Sequence, residues 1–484
     1  MVALPIYGGS YPSRSKPFSA QRCINWYIQP AEGGGLSEAV LYGTPGISEI
    51  ANTGMIEQVN RGSHVMEGIA YFVNGTSLYR LNRTTIQGVD SFSVDDIGTI
   101  AGTSRVSMAD NGTQLMILVP GGSGYIWNES TTTFEEITAP GFTANGNPQY
   151  VVFLDGYFVV TTDTKRFIVS ALNDGTNWDA LDFGSAEADP DPIVAPVVNR
   201  NQLFICGSET IEAFQNIGGS AFPFQRVPGF VLPRGLRAAF SVINVAGTYA
   251  FIGAGVKESP SVYAFTGNDV QRISNDGIDE FLRTFSDSQI EDAFAVSYSQ
   301  DGAEFACWII GTETICYNFT SGKWTERSSR FTSGDEMFDS RWRVNSLVSA
   351  YGRIIVGDSQ DGRIGEMSLD IFDEYGENIL RTLITVPFSN EGKSIFVPRL
   401  ELTMEAGVGD FETDPQIRVS RSRDGHIFKD ERQRGIGKVG EYERRSIWRR
   451  FGRVGRFELF KFEYSEMFKP VIIKLEAEFA GGYK

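Results

Sequence analysis

The chain has 484 residues with 60 acidic and 43 basic side chains, a formal net charge of -17 at pH 7. Residues 401–484 hold 17 Lys and Arg against 15 Asp and Glu, whereas the first 400 residues hold 26 against 45, and this acidity argues against sequence-reading DNA binding by the larger part. Fifty-three glycines beside 19 prolines favour a turn-rich β protein over a collagen-like or disordered chain.

Residues 1–55 are predicted to form an extended N-terminal arm and assembly segment. Five prolines are spread through them and AEGGG lies at 31–35, a composition typical of irregular backbone. They contain no basic start followed by a long apolar run, and no run of about 18 apolar residues occurs in the sequence. We therefore expect a soluble, unexported chain without a membrane-spanning segment.

Residues 56–370 are predicted to form a β-propeller. Seven short β-like runs are each interrupted by a turn signal, and the Asn-Gly and Asp-Gly pairs among them favour β-hairpins. Their spacing of 37 to 55 residues is close to the roughly 40–50 residues of a four-stranded blade. We expect six or seven blades, while a rival series of β-sandwiches would need units nearer about 100 residues. The second residues of the seven turns are Gly75, Gly112, Gly156, Asn201, Gly247, Gly302 and Gly352.

Residues 371–484 are predicted to form a C-terminal β-sandwich. In the last alternating run Val471, Ile473 and Leu475 lie on one face, with Lys474 and Glu476 on the other, as half-buried antiparallel strands require. The fold class predicted from the sequence is therefore all-β, with an extended arm, a propeller of six or seven blades and a sandwich.

Side chains that commonly carry catalysis or bind metal ions are scarce. The two histidines, His64 and His426, accompany neither a G-x-S-x-G nucleophile elbow nor an HExxH pair. The scattered cysteines favour buried thiols in a reducing compartment over a disulfide framework. We expect no enzyme, no cofactor and no metal ion. The four cysteines are Cys23, Cys206, Cys307 and Cys316.

Two residue patterns bear on carbohydrate chemistry. A propeller glycosidase would use a carboxylate pair, but Asp95 and Asp96 would point to opposite faces of a strand, and prolines around Asp189 and Asp191 indicate a turn. A glycan-binding, adhesin-like propeller would expose aromatic side chains on one rim, although tryptophans in strand-like runs favour blade cores. The candidate tryptophans are Trp127, Trp178, Trp308 and Trp324.

Several motifs in order resemble one family of phage proteins. They are AQRCINWYIQP from Ala20, LYGTPGI from Leu41, GTSRVSMAD from Gly102, CGSETIEAF from Cys206, SPSVYAF from Ser259 and WRRFGRVGRFELF from Trp448. Together they resemble the packaged-DNA stabilisation, or tail-hub (nozzle), proteins of short-tailed bacteriophages, over nearly the whole chain. Each motif is weak alone, and six in order are fairly specific.

The resemblance implies a non-enzymatic virion part, assembled in the host cytoplasm. Such proteins form a ring, typically of six copies, beneath the portal and its adaptor. They retain packaged DNA, provide the ejection conduit, and carry tailspikes or fibres with a tail needle or plug. An acidic conduit would let DNA pass without adhering. The alternative function is the glycan-binding propeller of a phage tail or cell surface.

An arginine cluster near the C-terminus is the candidate assembly interface. It has three open interpretations: contact with carboxylates of a neighbouring subunit or the adaptor, pairing with Glu441, Glu443 and Glu458 of its own sandwich, or contact with DNA phosphates. The cluster places six arginines in thirteen residues, and they are Arg444, Arg445, Arg449, Arg450, Arg453 and Arg456.

Overall fold

The structure, a computed structural model, describes residues 1–481 apart from positions 57, 187–188, 190, 220–221, 268, 334–335 and 390–394. Almost all of its regular structure is β-strand, and the predicted fold class of a propeller followed by a sandwich is confirmed. The strands of the N-terminal segment are β1 (Val2–Leu4), β2 (Tyr11–Pro12), β3 (Ala20–Ile24), β4 (Trp26–Pro30), β5 (Ala39–Gly43) and β6 (Gly46–Asn52).

Seven antiparallel sheets follow one another in the described part of residues 60–368. The first four sheets contain β7 (Asn60–Met66), β8 (Ile69–Asn74), β9 (Ser77–Ile86) and β10 (Val89–Thr99); β11 (Ser107–Asp110), β12 (Gln114–Leu118), β13 (Gly124–Asn128) and β14 (Thr133–Glu136); β15 (Pro148–Leu154), β16 (Tyr157–Thr162), β17 (Arg166–Ala171) and β18 (Asp174–Ser185); and β19 (Ile193–Asn199), β20 (Gln202–Gly207), β21 (Ile211–Asn216) and β22 (Phe224–Leu232).

The remaining three sheets are less regular. The strands of the fifth and sixth are β23 (Gly235–Leu236), β24 (Ile243–Val245), β25 (Thr248–Ala254), β26 (Ser261–Phe265) and β27 (Val270–Arg272); and β28 (Phe294–Gln300), β29 (Ala303–Ile310), β30 (Glu313–Asn318) and β31 (Lys323–Glu326). Two short helices, α1 (Asp276–Leu282) and α2 (Asp287–Glu291), connect these two sheets. A hairpin of β32 (Ser328–Ser333) and β33 (Glu336–Arg341) precedes the seventh sheet, whose consecutive strands are β34 (Val344–Ala350), β35 (Arg353–Asp358) and β36 (Arg363–Ser368).

The predicted turns explain why the sheets form hairpins. Asp155 with Gly156 and Asp301 with Gly302 have positive φ at both positions, as in the type I′ turns that match strand twist. Five of the seven predicted turns join the first and second strands of a sheet, whereas Gly75 and Gly247 join the second and third strands. In the first sheet the turn equivalent to the others lies at Gly68, 44 residues before Gly112.

An N-terminal strand completes the seventh sheet. Strand β6 pairs antiparallel with β36, with Ile47 opposite Met367, so the first and last parts of the propeller sequence close one sheet. The first strands of the seventh and first sheets also meet, where Asn345 Nδ2 donates to the Asn60 carbonyl at 2.8 Å. Within the seventh sheet a fully buried Arg343 bonds Asp358 at 2.6 Å.

The propeller core is divided into apolar clusters between neighbouring sheets. Trp127, Trp178, Trp308 and Trp324 are all buried in such clusters. This burial confirms the blade-core interpretation and leaves none of the four as a rim aromatic for glycans. The cluster between the last and first sheets completes the ring, and its fully or largely buried members are Ala70, Phe72, Leu81, Ala350, Ile355 and Ile364.

Two sheets form the sandwich that follows. The chain first forms β37 (Asp373–Glu374) and β38 (Glu377–Asn378), which lie beside β6 in the seventh propeller sheet. The later part of the chain then supplies the sandwich strands β39 (Arg381–Ile384), β40 (Ile395–Met404), β41 (Gln416–Ser422), β42 (Lys429–Gly435), β43 (Ser446–Arg453), β44 (Leu459–Tyr464) and β45 (Val471–Gly481). One sandwich sheet has the order β4-β5-β45-β40-β43 and the other β3-β39-β44-β41-β42. Buried Trp448 and Leu400 belong to the core between them.

The N-terminal segment differs from the extended arm expected from its prolines. Strands β3 to β5 belong to the sandwich sheets and β6 to the propeller, and Trp26 and Leu41 lie in the sandwich core. Strand β3 also forms a parallel backbone bridge between Ile24 and Glu326 of the sixth propeller sheet. Beside this bridge, Arg22 Nε donates to the side-chain carboxylate of Glu326 at 2.9 Å. The segment is ordered because distant strands supply its partners.

The cysteines require a second correction. Cys307 and Cys316 form a disulfide, although four separate thiols were expected. They are directly opposite each other on β29 and β30, and their Cα atoms are 4.0 Å apart. Cys23 and Cys206 are free and buried, and burial raises the pKa of both thiols well above the usual range.

Candidate assembly surfaces

The arginine cluster lies on an edge of the sandwich. Strand β43 is the last strand of its sheet and pairs on one side with β40. Arg449, Arg450 and Arg453 belong to this strand, with φ +61° at Arg450 and +78° at Gly452. All six arginines of the cluster are exposed, so the predicted residues do share one edge of the molecule.

Two of the six arginines pair with carboxylates of their own sandwich. Arg445 binds Glu401 through two nitrogens, at 2.7 and 2.9 Å, and Arg444 lies 3.5 Å from Asp414. Burial tends to raise the pKa of Glu401, but the hydrogen bonds from Arg445 and Arg399 outweigh it and lower that pKa. Pairing within the sandwich therefore occurs, with carboxylates other than the three that the sequence suggested.

Glu458, one of those three, is paired with different arginines. It lies 3.2 Å from Arg421 and 3.9 Å from Arg423, and burial raises its pKa. Arg449, Arg450, Arg453 and Arg456 consequently form no ion pair with any residue that the structure describes. We call these four side chains the free arginine row.

Arginines of the opposite sheet cover the backbone of the same edge. Arg434 Nε donates to the Ile447 carbonyl at 2.9 Å, and Arg432 Nη1 donates to the Arg449 carbonyl at 2.6 Å. These carbonyls would otherwise be open to another strand. The bonds run from Arg434 to Ile447, from Arg432 to Arg449 and, more weakly at 3.4 Å, to Arg450, from Arg421 to Phe451 and from Arg423 to Arg453.

The covering arginines were not singled out by the sequence analysis. A signal was present, because arginine recurs at alternate positions in QIRVSRSR and KDERQRG, which places it on one face of each strand. Arg432 also lies over the Phe451 ring, with its guanidinium carbon 4.5 Å from the ring centre. Since the backbone edge is covered, side-chain charge is what β43 presents to a partner.

A groove of about 760 Å³ lies at the end of the free arginine row that contains Arg453 and Arg456. Arg423, Arg453 and Arg456 line it together with Ser389, Val454 and Gly455. No carboxylate is among the described residues that line this groove. The groove is consequently a place where an acidic side chain could meet several guanidinium groups.

The histidines and aspartates considered for catalysis or metal binding lie in different parts of the fold. His64 bonds Asp110 at 2.6 Å between the first two propeller sheets, and exposed His426 lies in the sandwich. Asp191 accepts from the Glu209 and Thr210 amides at 2.8 and 3.0 Å, so its carboxylate stabilises the connection between β20 and β21. Glu187, Ala188 and Pro190 of the same predicted turn lie outside the described residues.

The described residues contain neither a metal-binding cluster nor a membrane-spanning helix. No group of three or more His, Cys, Asp or Glu side chains that could hold a metal ion occurs in this part of the chain. No helix within the described ranges has the length and apolar character needed to cross a membrane.

A propeller closed by its N-terminus, joined to a sandwich with a charged edge, defines a class of two-part β-propeller proteins. A family model described as Bacteriophage P22 Gp10, beta-propeller, matches residues 2–372, and one described as Bacteriophage P22 Gp10, beta-sandwich, matches residues 381–480. The chain belongs to this P22 Gp10 family, which confirms the resemblance drawn from its motifs.

The chain is also similar to one named phage protein and to several solved structures. Tail hub protein gp10 of Salmonella phage P22 is 23% identical over 406 residues, which are 82% of this chain and 84% of the relative. Among solved structures, the WD40 β-propeller domain of Doa1 has a TM-score of 0.38 at 13% identity, over 67% of this chain and 97% of that one. The N-terminal domain of Nup159 has a TM-score of 0.40 at 10% identity, over 71% and 98%.

Proposed function

We propose that this protein is a non-enzymatic structural part of a phage tail, in which several copies form a hub. Membership of the P22 Gp10 family and similarity to a tail hub protein support this role. The proposed hub is a ring, typically of six copies, below the portal and adaptor. It retains packaged DNA, provides the ejection conduit, and holds tailspikes or fibres and a needle or plug.

The free arginine row is the observation that carries the proposal of an assembly surface. Four exposed guanidinium groups that pair with no carboxylate of the described residues lie on one edge of a chain whose net charge is -17. Guanidinium groups bind carboxylates through two parallel hydrogen bonds, which fixes orientation as well as charge. The proposed partner is therefore an acidic protein surface, either on a neighbouring copy or on the adaptor.

The rigidity of the edge favours this use. Each β43 carbonyl of the covered set is bonded to an arginine of the opposite sheet, so the strand holds its shape before a partner arrives. A preformed surface loses less conformational freedom on binding than a loop does. Contact with DNA is the weaker interpretation, because the remainder of the chain is strongly acidic.

Charge reversal tests the surface. The full chain carrying Arg450→Glu and Arg453→Glu is compared with the parent by light scattering, alone and mixed with its portal-adaptor complex across a salt series. We expect the parent to join the complex and salt to weaken the joining, while the double variant stays folded and unattached. A matched control reverses two exposed charges on other sheets, Lys165→Glu and Arg200→Glu. Normal attachment of the double variant would refute the proposed surface.

A further inference from the structure

Two arginines meet at one end of the propeller's axial channel, the space enclosed by the first strands of the sheets. Arg105 lies two residues before β11 of the second sheet, and Arg341 is the last residue of the hairpin strand β33, three residues before β34 of the seventh sheet. Both lie over the ring of Phe294, the first residue of β28, with guanidinium carbons 3.5 and 5.6 Å from its centre. Three sheets thus bring two positive charges to one aromatic side chain.

Neither of these two arginines has a carboxylate partner among the described residues. Arg105 Nη1 donates to the Asn345 carbonyl at 2.8 Å, and Arg341 Nη2 donates to the Asn345 side-chain oxygen at 2.8 Å. Arg341 Nη1 is buried without any hydrogen-bond partner. The guanidinium groups therefore keep donors that the described protein atoms leave unused.

The local electrostatics agree with this shortage of negative charge. Burial, together with a smaller contribution from the neighbouring Arg341, lowers the pKa of Arg105 to about 9. Burial also lowers the pKa of Arg341, opposed by Asp358. That carboxylate is itself bonded to Arg343 at 2.6 Å, so it does not neutralise the pair.

A cavity adjoins Arg105. It has a volume of about 200 Å³, several times the roughly 30 Å³ that one water occupies in the liquid. Ser63, Ser297, Asn345 and Ser346 supply polar atoms to its wall. The hydroxyl oxygens of Ser63 and Ser346 are buried and have no hydrogen-bond partner, which is costly unless something in the cavity binds them.

We propose that this cavity binds an oxyanion of the size and charge of phosphate. Such an anion would accept hydrogen bonds from the Arg105 fork and from the Ser63 and Ser346 hydroxyls, and it would offset two adjacent positive charges. A metal cation does not suit the site, because both charged groups there are positive. The proposal is independent of the arginine row on the sandwich.

The adjoining part of the channel does not compete for these arginines. It forms a larger cavity of about 560 Å³, which shares Ser63, Val106 and Met108 with the smaller one. Its acidic group, Asp110, bonds His64 at 2.6 Å. The acidic group of the larger cavity is therefore engaged by a histidine and does not pair with Arg105 or Arg341.

Titration of the full chain with sodium phosphate, in buffer held at constant ionic strength with sodium chloride, tests the proposal. We expect saturable heat in calorimetry and a rise in the thermal midpoint that chloride alone does not give. Arg105→Gln should weaken phosphate binding roughly tenfold or more, since it removes charge-assisted hydrogen bonds. Arg200→Gln, an exposed arginine at the turn between β19 and β20, is the matched control and should bind like the parent.

Two serine substitutions and a second ligand extend the phosphate titration. If Arg105→Gln fails to fold, Ser346→Ala and Ser63→Ala together remove the two unused hydroxyls and should weaken binding severalfold. Binding of phosphate but not of a nucleoside monophosphate would identify the free anion, while binding of both would identify a phosphate group on a larger molecule. Equal responses to phosphate and chloride, or unchanged binding in both variants, would overturn the proposal.

Discussion

The propeller and the sandwich protect their strand edges in different ways. The seventh propeller sheet is completed by backbone pairing, because β6 lies along β36 and leaves that edge bonded. Within the described residues the sandwich strand β43 ends its sheet, and arginine side chains of the opposite sheet bond its carbonyls. A covered backbone edge resists strand addition in both regions, but only the second solution leaves a dense positive surface.

The largest expected contrast between the regions concerns their buried carboxylates. Asp358→Ala would leave Arg343 buried and unpaired, and we expect a loss of about 3–5 kcal/mol in the free energy of unfolding. Glu458→Ala should cost clearly less, because its partners Arg421 and Arg423 are 21% and 56% exposed and can hydrate. Denaturant unfolding of both variants measures this difference, and equal losses would contradict the distinction.

The second-largest expected effect on stability concerns strand β6, which closes the propeller ring. Ile47 of β6 is fully buried, and Ile47→Ala should cost about 2–5 kcal/mol through lost burial and the cavity left behind. Ile56 lies just beyond the same strand and is 84% exposed, so Ile56→Ala should change stability by about 0.5 kcal/mol or less. Denaturant midpoints compare the two variants. Similar midpoints would mean that β6 contributes little to closing the ring.

Removal of one covering arginine tests the sandwich edge. Arg432→Ala deletes the hydrogen bond to the Arg449 carbonyl and the contact with Phe451, so we expect a loss of about 1–2 kcal/mol. Reopening the edge should also promote self-association, visible as added light scattering. Arg449→Ala on the same strand keeps the covering bonds and serves as the control. A scattering increase of equal size in both variants would point to charge loss rather than an open edge.

The smallest effect concerns the pH dependence of the pair formed by Glu401 and Arg445. The folded state lowers the pKa of Glu401, so the pair stabilises the fold above the carboxyl's ordinary pKa and loses this contribution as pH falls through the lowered value. Arg445→Ala should therefore narrow the stability difference between pH 7 and acid. Unfolding midpoints between pH 2 and 7 measure it. An unchanged profile would show that the pair contributes nothing measurable.

Local signals explain how much of the fold could be predicted. Two-residue turns fix the backbone within a few residues, so the hairpins of Asp155 with Gly156 and Asp301 with Gly302 were identifiable from sequence. Cys307 and Cys316 flank a turn at Gly311 and could have been paired by counting outward from it. The partners of β3 and β6 lie hundreds of residues away, and no local pattern records them.

For the candidate assembly surface, the sequence predicts which residues are present but not which contacts they make. Six arginines in thirteen residues are plain in the sequence, and the structure separates them into paired and free members. The covering contacts were hidden because Arg432 and Arg434 bond main-chain carbonyls, which every residue possesses and no sequence motif marks. The pair of Arg105 and Arg341 was hidden for another reason, since 236 residues separate two side chains that share one ring.

The pairing of β6 with β36 also sets an order of events during synthesis. Ile47 leaves the ribosome 320 residues before Met367, the residue it will face. At about 5–20 residues per second, the nascent chain carries an unmatched strand for roughly 16–64 s. Closure of the propeller is therefore among the late steps of its folding, and the early strand has no partner until β36 emerges.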